Sequence, residues 1–163
     1  MNSLQVRRFS PVDVRSVIDV ILPIQREEFG IAITESDQPD LHDIPGFYQV
    51  GNGDFFVAEI DGRLVGTIGL KDIGSGQGAL RKMFVASDFR GRDHGVAHGL
   101  LHHLLSEARA RGLQEIYLGT TDRFLAAHRF YEKNGFHPVP VEVLPPSFPR
   151  MAVDTRFYRL DLS

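Results

Sequence analysis

The segment Met83-Phe84-Val85, followed after four residues by Arg90-Gly91-Arg92-Asp93-His94-Gly95-Val96-Ala97, joins a β-prone run to a loop of glycine and arginine and then to a long amphipathic stretch. A strand, a loop and a helix start in that order leave several backbone N–H groups unpaired at the positive end of a helix dipole, which is a ready site for an anion. Gly95 and Ala97 are small enough for an oxygen to approach the main chain closely, while Arg90 and Arg92 can add charge-assisted donors. The same residues also read as an ordinary loop of small side chains, so this segment alone leaves both readings open.

Working outward, Gly95 to Arg111 keeps one helical stripe at Ala97, Leu100, Leu101, Leu104 and Ala108, and Gly112 ends it. Glu115 to Thr120 is a short β-prone run. Asp122 can cap a second helix with the stripe Phe124, Ala127, His128 and Tyr131, which Asn134-Gly135 terminates so that Phe136 packs back. Upstream, Phe55 to Ile60, Asp61-Gly62 and Arg63 to Leu70 read as a hairpin, since Asp-Gly tolerates the positive φ angles of a two-residue turn. Gly74-Ser75-Gly76-Gln77-Gly78 suggests a phosphate cradle, but a strand rather than a helix follows it, from Ala79 to Val85, so it reads as a hairpin turn.

At the start, Leu4 to Phe9 is a short strand, and Ser10-Pro11-Val12-Asp13 opens a helix with Val14, Val17, Ile18 and Ile21 on its apolar side. Pro23 should kink or end that helix, with Gln25 to Phe29 continuing on a new axis. Gly30 to Gly53 reads as loops with one helical turn near Asp40 to Ile44. A strand from Phe136 to Val139, a loop holding Pro140, Pro145, Pro146 and Pro149, and a last strand from Thr155 to Leu162 follow.

The 163 residues carry 18 Lys+Arg, 21 Asp+Glu, 42% hydrophobic residues and no cysteine. That is one domain, residues 1–163, with enough chain for a single core. The absence of cysteine excludes disulfides, thiolate metal sites and a cysteine nucleophile. A net charge of -3 argues against a general nucleic-acid partner. No run approaches a membrane span and no basic-then-apolar leader is seen, so the expectation is a soluble, cytoplasmic protein with no membrane partner. His94, His98 and His102 are spaced to gather imidazoles around zinc, but they lie off the apolar stripe and read as a solvated face, so no metal is expected. His128, on the buried stripe, reads as a hydrogen-bonded core histidine.

Arg92-x-x-Gly95-x-Ala97 resembles the Arg/Gln-x-x-Gly-x-Gly/Ala signature of the GNAT superfamily of N-acetyltransferases, and Phe130-Tyr131-Glu132-Lys133-Asn134-Gly135-Phe136 is similar to its Tyr-x-x-x-Gly-Phe segment. The order of elements is similar over nearly all of the chain. The resemblance implies an α/β (α+β) fold: a mixed, mostly antiparallel central sheet of about seven strands flanked by helices, with a splayed strand pair at the cofactor site. It implies acetyl-CoA as acetyl donor, its pantetheine arm along Met83 and Val85 and its pyrophosphate on Arg90, Gly91, Arg92, His94, Gly95, Val96 and Ala97. A local basic region of Arg81, Lys82, Arg90, Arg92 and Arg129 would offset the net negative charge.

The implied reaction is direct attack of a primary amine, on a small molecule, peptide or protein, at the thioester carbonyl. Backbone N–H groups at Val85 or Met83 would steady the oxyanion, and Tyr131, which periodicity alone reads as a core aromatic, falls at the general-acid position. Two positions depart from the family pattern: Phe124 stands where an Asn often contacts the pantetheine arm, and Ala79 stands near the usual place of a Glu base. The base is unassigned, with Glu28, His42, Asp54 and Glu59 as ionisable candidates. Phe29 to Tyr48 is the expected acceptor wall, its acids Glu35, Asp37, Asp40 and Asp43 either drawing in a cationic amine or forming a solvated acidic loop. The other function open to this fold is an acyl-CoA sensor or interaction module with little turnover, and a homodimer is the self-association compatible with either.

Overall fold

The run Asp54–Ile60 alternates its large apolar side chains between two buried faces: Phe56, Ala58 and Ile60 pack to one side, Phe55 and Val57 to the other. A strand apolar on both faces needs a layer of helices on each side. The computed structural model describes residues 3–91, 95–122 and 125–162 and shows that arrangement. Seven strands form one sheet: β1 (Leu4–Arg8), β2 (Asp54–Ile60), β3 (Arg63–Gly74), β4 (Gln77–Val85), β5 (Glu115–Thr120), β6 (His137–Val139) and β7 (Arg156–Asp161), in the order β1-β2-β3-β4-β5-β7-β6. Every pairing is antiparallel except β4 with β5.

The hairpin expected at Asp61-Gly62 is present, with φ of 51° and 83° at its two turn residues. The glycine-rich string is a second turn, Gly74, Ser75 and Gly76 all having positive φ, and β3 runs to Gly74 rather than stopping at Leu70. One face of the sheet is covered by α4 (Val96–Ala110), whose Leu100, Leu101 and Leu104 are fully buried, each stabilising the fold by about 1.5–3 kcal/mol. Tyr131 and His128 of α5 (Leu125–Lys133) are buried, and Tyr131 joins this core. Gly135 at φ 94° ends α5, and the Phe136 N–H returns to the Tyr131 carbonyl at 3.1 Å.

The other face carries α1 (Val14–Pro23), α2 (Pro39–His42) and α3 (Ile44–Phe47), so the single turn expected near Asp40 is in fact two short ones. Pro23 is the last residue of α1, as expected, and the chain continues after it as a wider π-type turn at Ile24–Glu28, where the Phe29 N–H donates to the Ile24 carbonyl at 3.0 Å.

α4 packs tightly against Gly66 of β3. A Cβ there would stand 2.9 Å from both Leu100 Cδ1 and Val96 Cγ1. Gly66→Val is therefore expected to destabilise the fold by about 1–3 kcal/mol and, by lifting the first turn of α4, to weaken binding at that turn; urea unfolding beside an acetyl-CoA titration measures both.

Candidate active site

β4 and β5 are paired only at their first residues, Gln77, Gly78 and Ala79 against Glu115, Ile116 and Tyr117. Beyond that point Leu80–Val85 and Leu118–Thr120 diverge, and main-chain groups of β4 that would have met β5 face open space. The Ala86 N–H donates to the Val65 carbonyl of β3 at 2.8 Å. Polar groups alternate in direction along a strand, so Val85, one residue back, turns the opposite way, and its carbonyl accepts from Arg90 Nε at 2.8 Å. Met83 shares that direction, because Phe84 and Val85 stay in regular register with Thr67 and Gly66.

The register slips between Thr67/Gly69 on β3 and Phe84/Arg81 on β4, and the slip is a β-bulge centred on Lys82, whose φ is 53°. The Thr67 hydroxyl donates to the Lys82 carbonyl at 2.8 Å and supplies a partner lost from the ladder. The bulge changes which side chains face where. Leu80, Met83 and Val85 belong to the α4 side, whereas Arg81 and Lys82, consecutive in sequence, both turn toward α2 and α3.

The gap between the diverging strands opens into a cavity of about 1010 Å³. It reaches from Gln25 and Phe29 across Met83 and Val85 to Gly91 and Ala97 at the start of α4, and to Tyr131 of α5. Gly95, at φ 65°, is the N-cap of α4, and its N–H returns to the Gly91 carbonyl at 3.4 Å. The first-turn N–H groups from Val96 onward have no intrahelical acceptors. Ala97, read from sequence as part of the apolar stripe, lines the cavity and is only half buried, while Val96 is buried against β3. Arg90 forms a two-pronged pair with Glu28, at 2.6 and 3.0 Å. Arg92, His94 and Phe124 lie outside the described residues.

Tyr131 is 8% exposed, its ring set edge-on to Phe136 and its hydroxyl 3.7 Å from Met83 Sδ. Burial pushes its phenol well above the ordinary tyrosine range, with Tyr158 adding to the effect, so it stays protonated at neutral pH. His128 is buried, with Nε2 at 2.8 Å from the Thr121 carbonyl and Nδ1 without a partner among the described residues.

Several sequence expectations are corrected by position. Arg81 and Lys82 do not join Arg90 in a basic region at the α4 loop, because the bulge turns them to the other face; Arg129 is exposed on α5. Phe29, Ile31 and Ile33 of the expected acceptor wall do line the cavity, but its acids do not present free carboxylates. Glu35 pairs with Arg15 at 2.9 Å, Asp37 caps Thr34, Asp43 caps α3 through the Gly46 N–H, and Asp40 accepts the Tyr48 hydroxyl at 2.6 Å. Of the base candidates only Glu28 lines the cavity; Asp54 and Glu59 serve ion pairs elsewhere, and His42 is exposed beside Glu35.

Asp154, which no sequence pattern singled out, does line the cavity. Its Oδ2 accepts from the Met151 N–H at 3.0 Å and rests against Gly119 of β5, where a Cβ would come within 2.7 Å. Burial raises its carboxyl above the ordinary value, opposed by that N–H and by Arg81, Arg150 and Lys82. The only cue in the sequence was a glycine in an otherwise β-prone run.

A mixed sheet whose central parallel pair splays beside a helix start of small residues defines the acetyltransferase class of fold. The chain belongs to the acetyltransferase (GNAT) family, whose model matches residues 18–136. The acetyltransferase of GNAT family from Staphylococcus aureus Mu50 superposes with a TM-score of 0.94 at 36% identity, covering 99% of this chain and 100% of that one. The zebrafish (Danio rerio) N-acetylaspartate synthetase is 30% identical over 128 residues, which is 76% of this chain and 45% of that protein; the match spans from about a third to half the length of the curated relatives. The PaiA N-acetyltransferase of Thermoplasma acidophilum, solved in complex with coenzyme A, shares the fold with a TM-score of 0.75 at 19% identity, over 98% of this chain and 99% of that one.

Proposed function

We propose that this chain transfers the acetyl group of acetyl-CoA directly to a primary amine of a small molecule, peptide or protein. The observation that carries the reading is the splay, which turns the main chain of Met83 and Val85 into a cavity continuous with the start of α4. The residues present fit the donor. Gly91, Gly95 and Ala97 leave the helix start open to a pyrophosphate, with Val96 contributing an N–H and Arg90 bordering it, while Arg92 and His94, assigned to the same group by the family resemblance, lie outside the described residues. Arg90 can leave Glu28 at little cost, since half-exposed pairs of this kind are worth about 0–1 kcal/mol.

Acetyl-CoA brings an electrophilic thioester. Val85 and Met83 offer N–H groups to its carbonyl oxygen and to the pantetheine amides, and Tyr131, held protonated by burial, gives its proton to the departing sulfur. With no cysteine in the chain to carry the acetyl group, the neutral acceptor nitrogen attacks the thioester carbon; as the C–N bond forms and the C–S bond breaks, the nitrogen sheds one proton to solvent, and solvent reprotonates the Tyr131 phenolate. A cytoplasmic site of action, where acetyl-CoA is at hand, accompanies this reading.

Acetyl-CoA at a hundred times its Kd is expected to stabilise the fold by about 2.7 kcal/mol, or roughly 8 °C in Tm for a domain of this size. Release of free thiol with amines, amino acids, polyamines, aminoglycosides or short peptides then establishes transfer. Stabilisation without thiol release would make the chain an acyl-CoA sensor, and no shift with either acetyl-CoA or CoA would overturn both readings.

A further inference from the structure

Arg81 and Lys82 place two positive charges on the cavity wall that the donor does not use. Arg81 gives Nε to the Tyr48 hydroxyl at 3.3 Å and Nη1 to the Pro149 carbonyl at 3.1 Å. Among the described residues no carboxylate lies within 4.0 Å of its guanidinium. Lys82, with a side chain only 5% exposed, donates to Gln38 Oε1 at 2.6 Å and stands 3.8 Å from Asp40, which is itself committed to Tyr48. Gln38 is held in turn by a reciprocal amide pair with Gln25. Asp154 is the facing carboxylate: outside ion-pair distance of both cations, yet near enough for both to act against its burial.

We propose that the acceptor is an α-amino acid bound as its zwitterion, its carboxylate on Arg81 and Lys82 and its ammonium toward Asp154. The inference rests on the acetyl-transfer reading and names the acceptor for the same site. Arg81 keeps unused N–H donors in a planar fork that matches a carboxylate, and the apolar lining that Phe29, Ile31, Ile33 and Phe148 give the same cavity strengthens any charge pairing made in it. A polyamine or aminoglycoside would instead bring more positive charge beside two cations that are already buried or half buried. The bulge is what makes the arrangement: in an unbroken strand Lys82 would point to the α4 side, and the wall would hold one cation.

The test measures CoA thiol release from acetyl-CoA by the wild-type enzyme with the common α-amino acids, each beside its carboxamide, and with spermidine and an aminoglycoside. The preferred amino acid is expected to exceed its carboxamide by about tenfold or more in kcat/KM, the effect of losing a charge-assisted contact. Arg81→Gln should raise KM for the acid at least about tenfold, leave Kd for acetyl-CoA unchanged and erase the preference for acid over amide, while Arg81→Lys retains part of it. Asp154→Asn should weaken acid and amide alike. A carboxamide used as well as its acid, or spermidine used in preference to every amino acid, overturns this inference and leaves acetyl transfer standing; no thiol release with any amine overturns the transfer itself. If Arg81→Gln loses its cooperative thermal transition, the acid-to-amide ratio of the wild type decides alone.

Discussion

Tyr131→Phe is expected to lower kcat by about 10²–10⁴-fold while leaving Kd for acetyl-CoA and the Tm nearly unchanged. The separation of effects follows from how the side chain is held. Its ring packs edge-on to Phe136 at 5.6 Å and lies 6.0 Å from Tyr158, contacts that phenylalanine keeps. Among the described residues its hydroxyl meets only the weak acceptor Met83 Sδ at 3.7 Å, so removing it strands no buried polar partner there, and the stability change should stay under about 1 kcal/mol. Steady-state kinetics, a binding isotherm and a thermal melt on one variant therefore separate a chemical role from a packing role. Turnover equal to wild type would remove Tyr131 from the reaction.

Asp54→Ala should cost about 3–5 kcal/mol, roughly 10 °C in Tm, without touching the cavity. Asp54 is fully buried at the start of β2 and accepts from Arg8 at 2.7 Å, Arg111 at 2.7 Å, Gln49 at 2.9 Å and the Phe55 N–H at 2.8 Å. One carboxylate thus ties the first strand, the end of α4 and the loop after α3 to the sheet, and its loss takes from Arg8 its ion pair and leaves Arg111 with Glu107 alone. Burial works to raise its carboxyl, but these four donors prevail and hold it below the ordinary aspartate value. A depressed carboxyl stabilises the fold above the unfolded value of about 4 and loses that contribution as pH falls through the lower folded one. Urea unfolding of wild type and Asp54→Ala should accordingly show a gap that is full at neutral pH and narrows below about pH 4. A gap independent of acid pH would show that Asp54 acts by its volume and not by its charge.

What the sequence disclosed was local. The Asp61-Gly62 turn, the leucine stripe of α4 and the Gly135 stop are each decided by neighbours a few residues away, and the residues at 90–97 and 130–136 carried the family resemblance for the same reason. The register slip at Lys82 was not visible, because it depends on how β3 and β4 align across the sheet and on the Thr67 hydroxyl reaching the Lys82 carbonyl. Grouping Arg81 and Lys82 with the arginines of the α4 loop therefore assigned both to the wrong neighbourhood. Asp154 was hidden similarly: it follows a proline-rich loop with no periodicity, and its place is fixed by a glycine 35 positions earlier on another strand. The acids between Glu35 and Asp43 looked available because composition records charge but not the caps and ion pairs that absorb it.

The sheet order also sets a timetable for assembly. β5 shares three residue pairs with β4 but six with β7, which comes later in the chain and lies between β5 and β6. While a ribosome is still making the residues of β7, β5 has one side with almost nothing to hold it, an open edge that invites pairing with another chain. The strand that closes this edge follows directly after the loop bearing Asp154, so completing the sheet and completing the cavity wall are one event. A nascent chain halted before β7 would carry the helix start, the glycines of the donor site and Asp154 itself, and yet have no closed sheet to hold that carboxylate opposite Arg81.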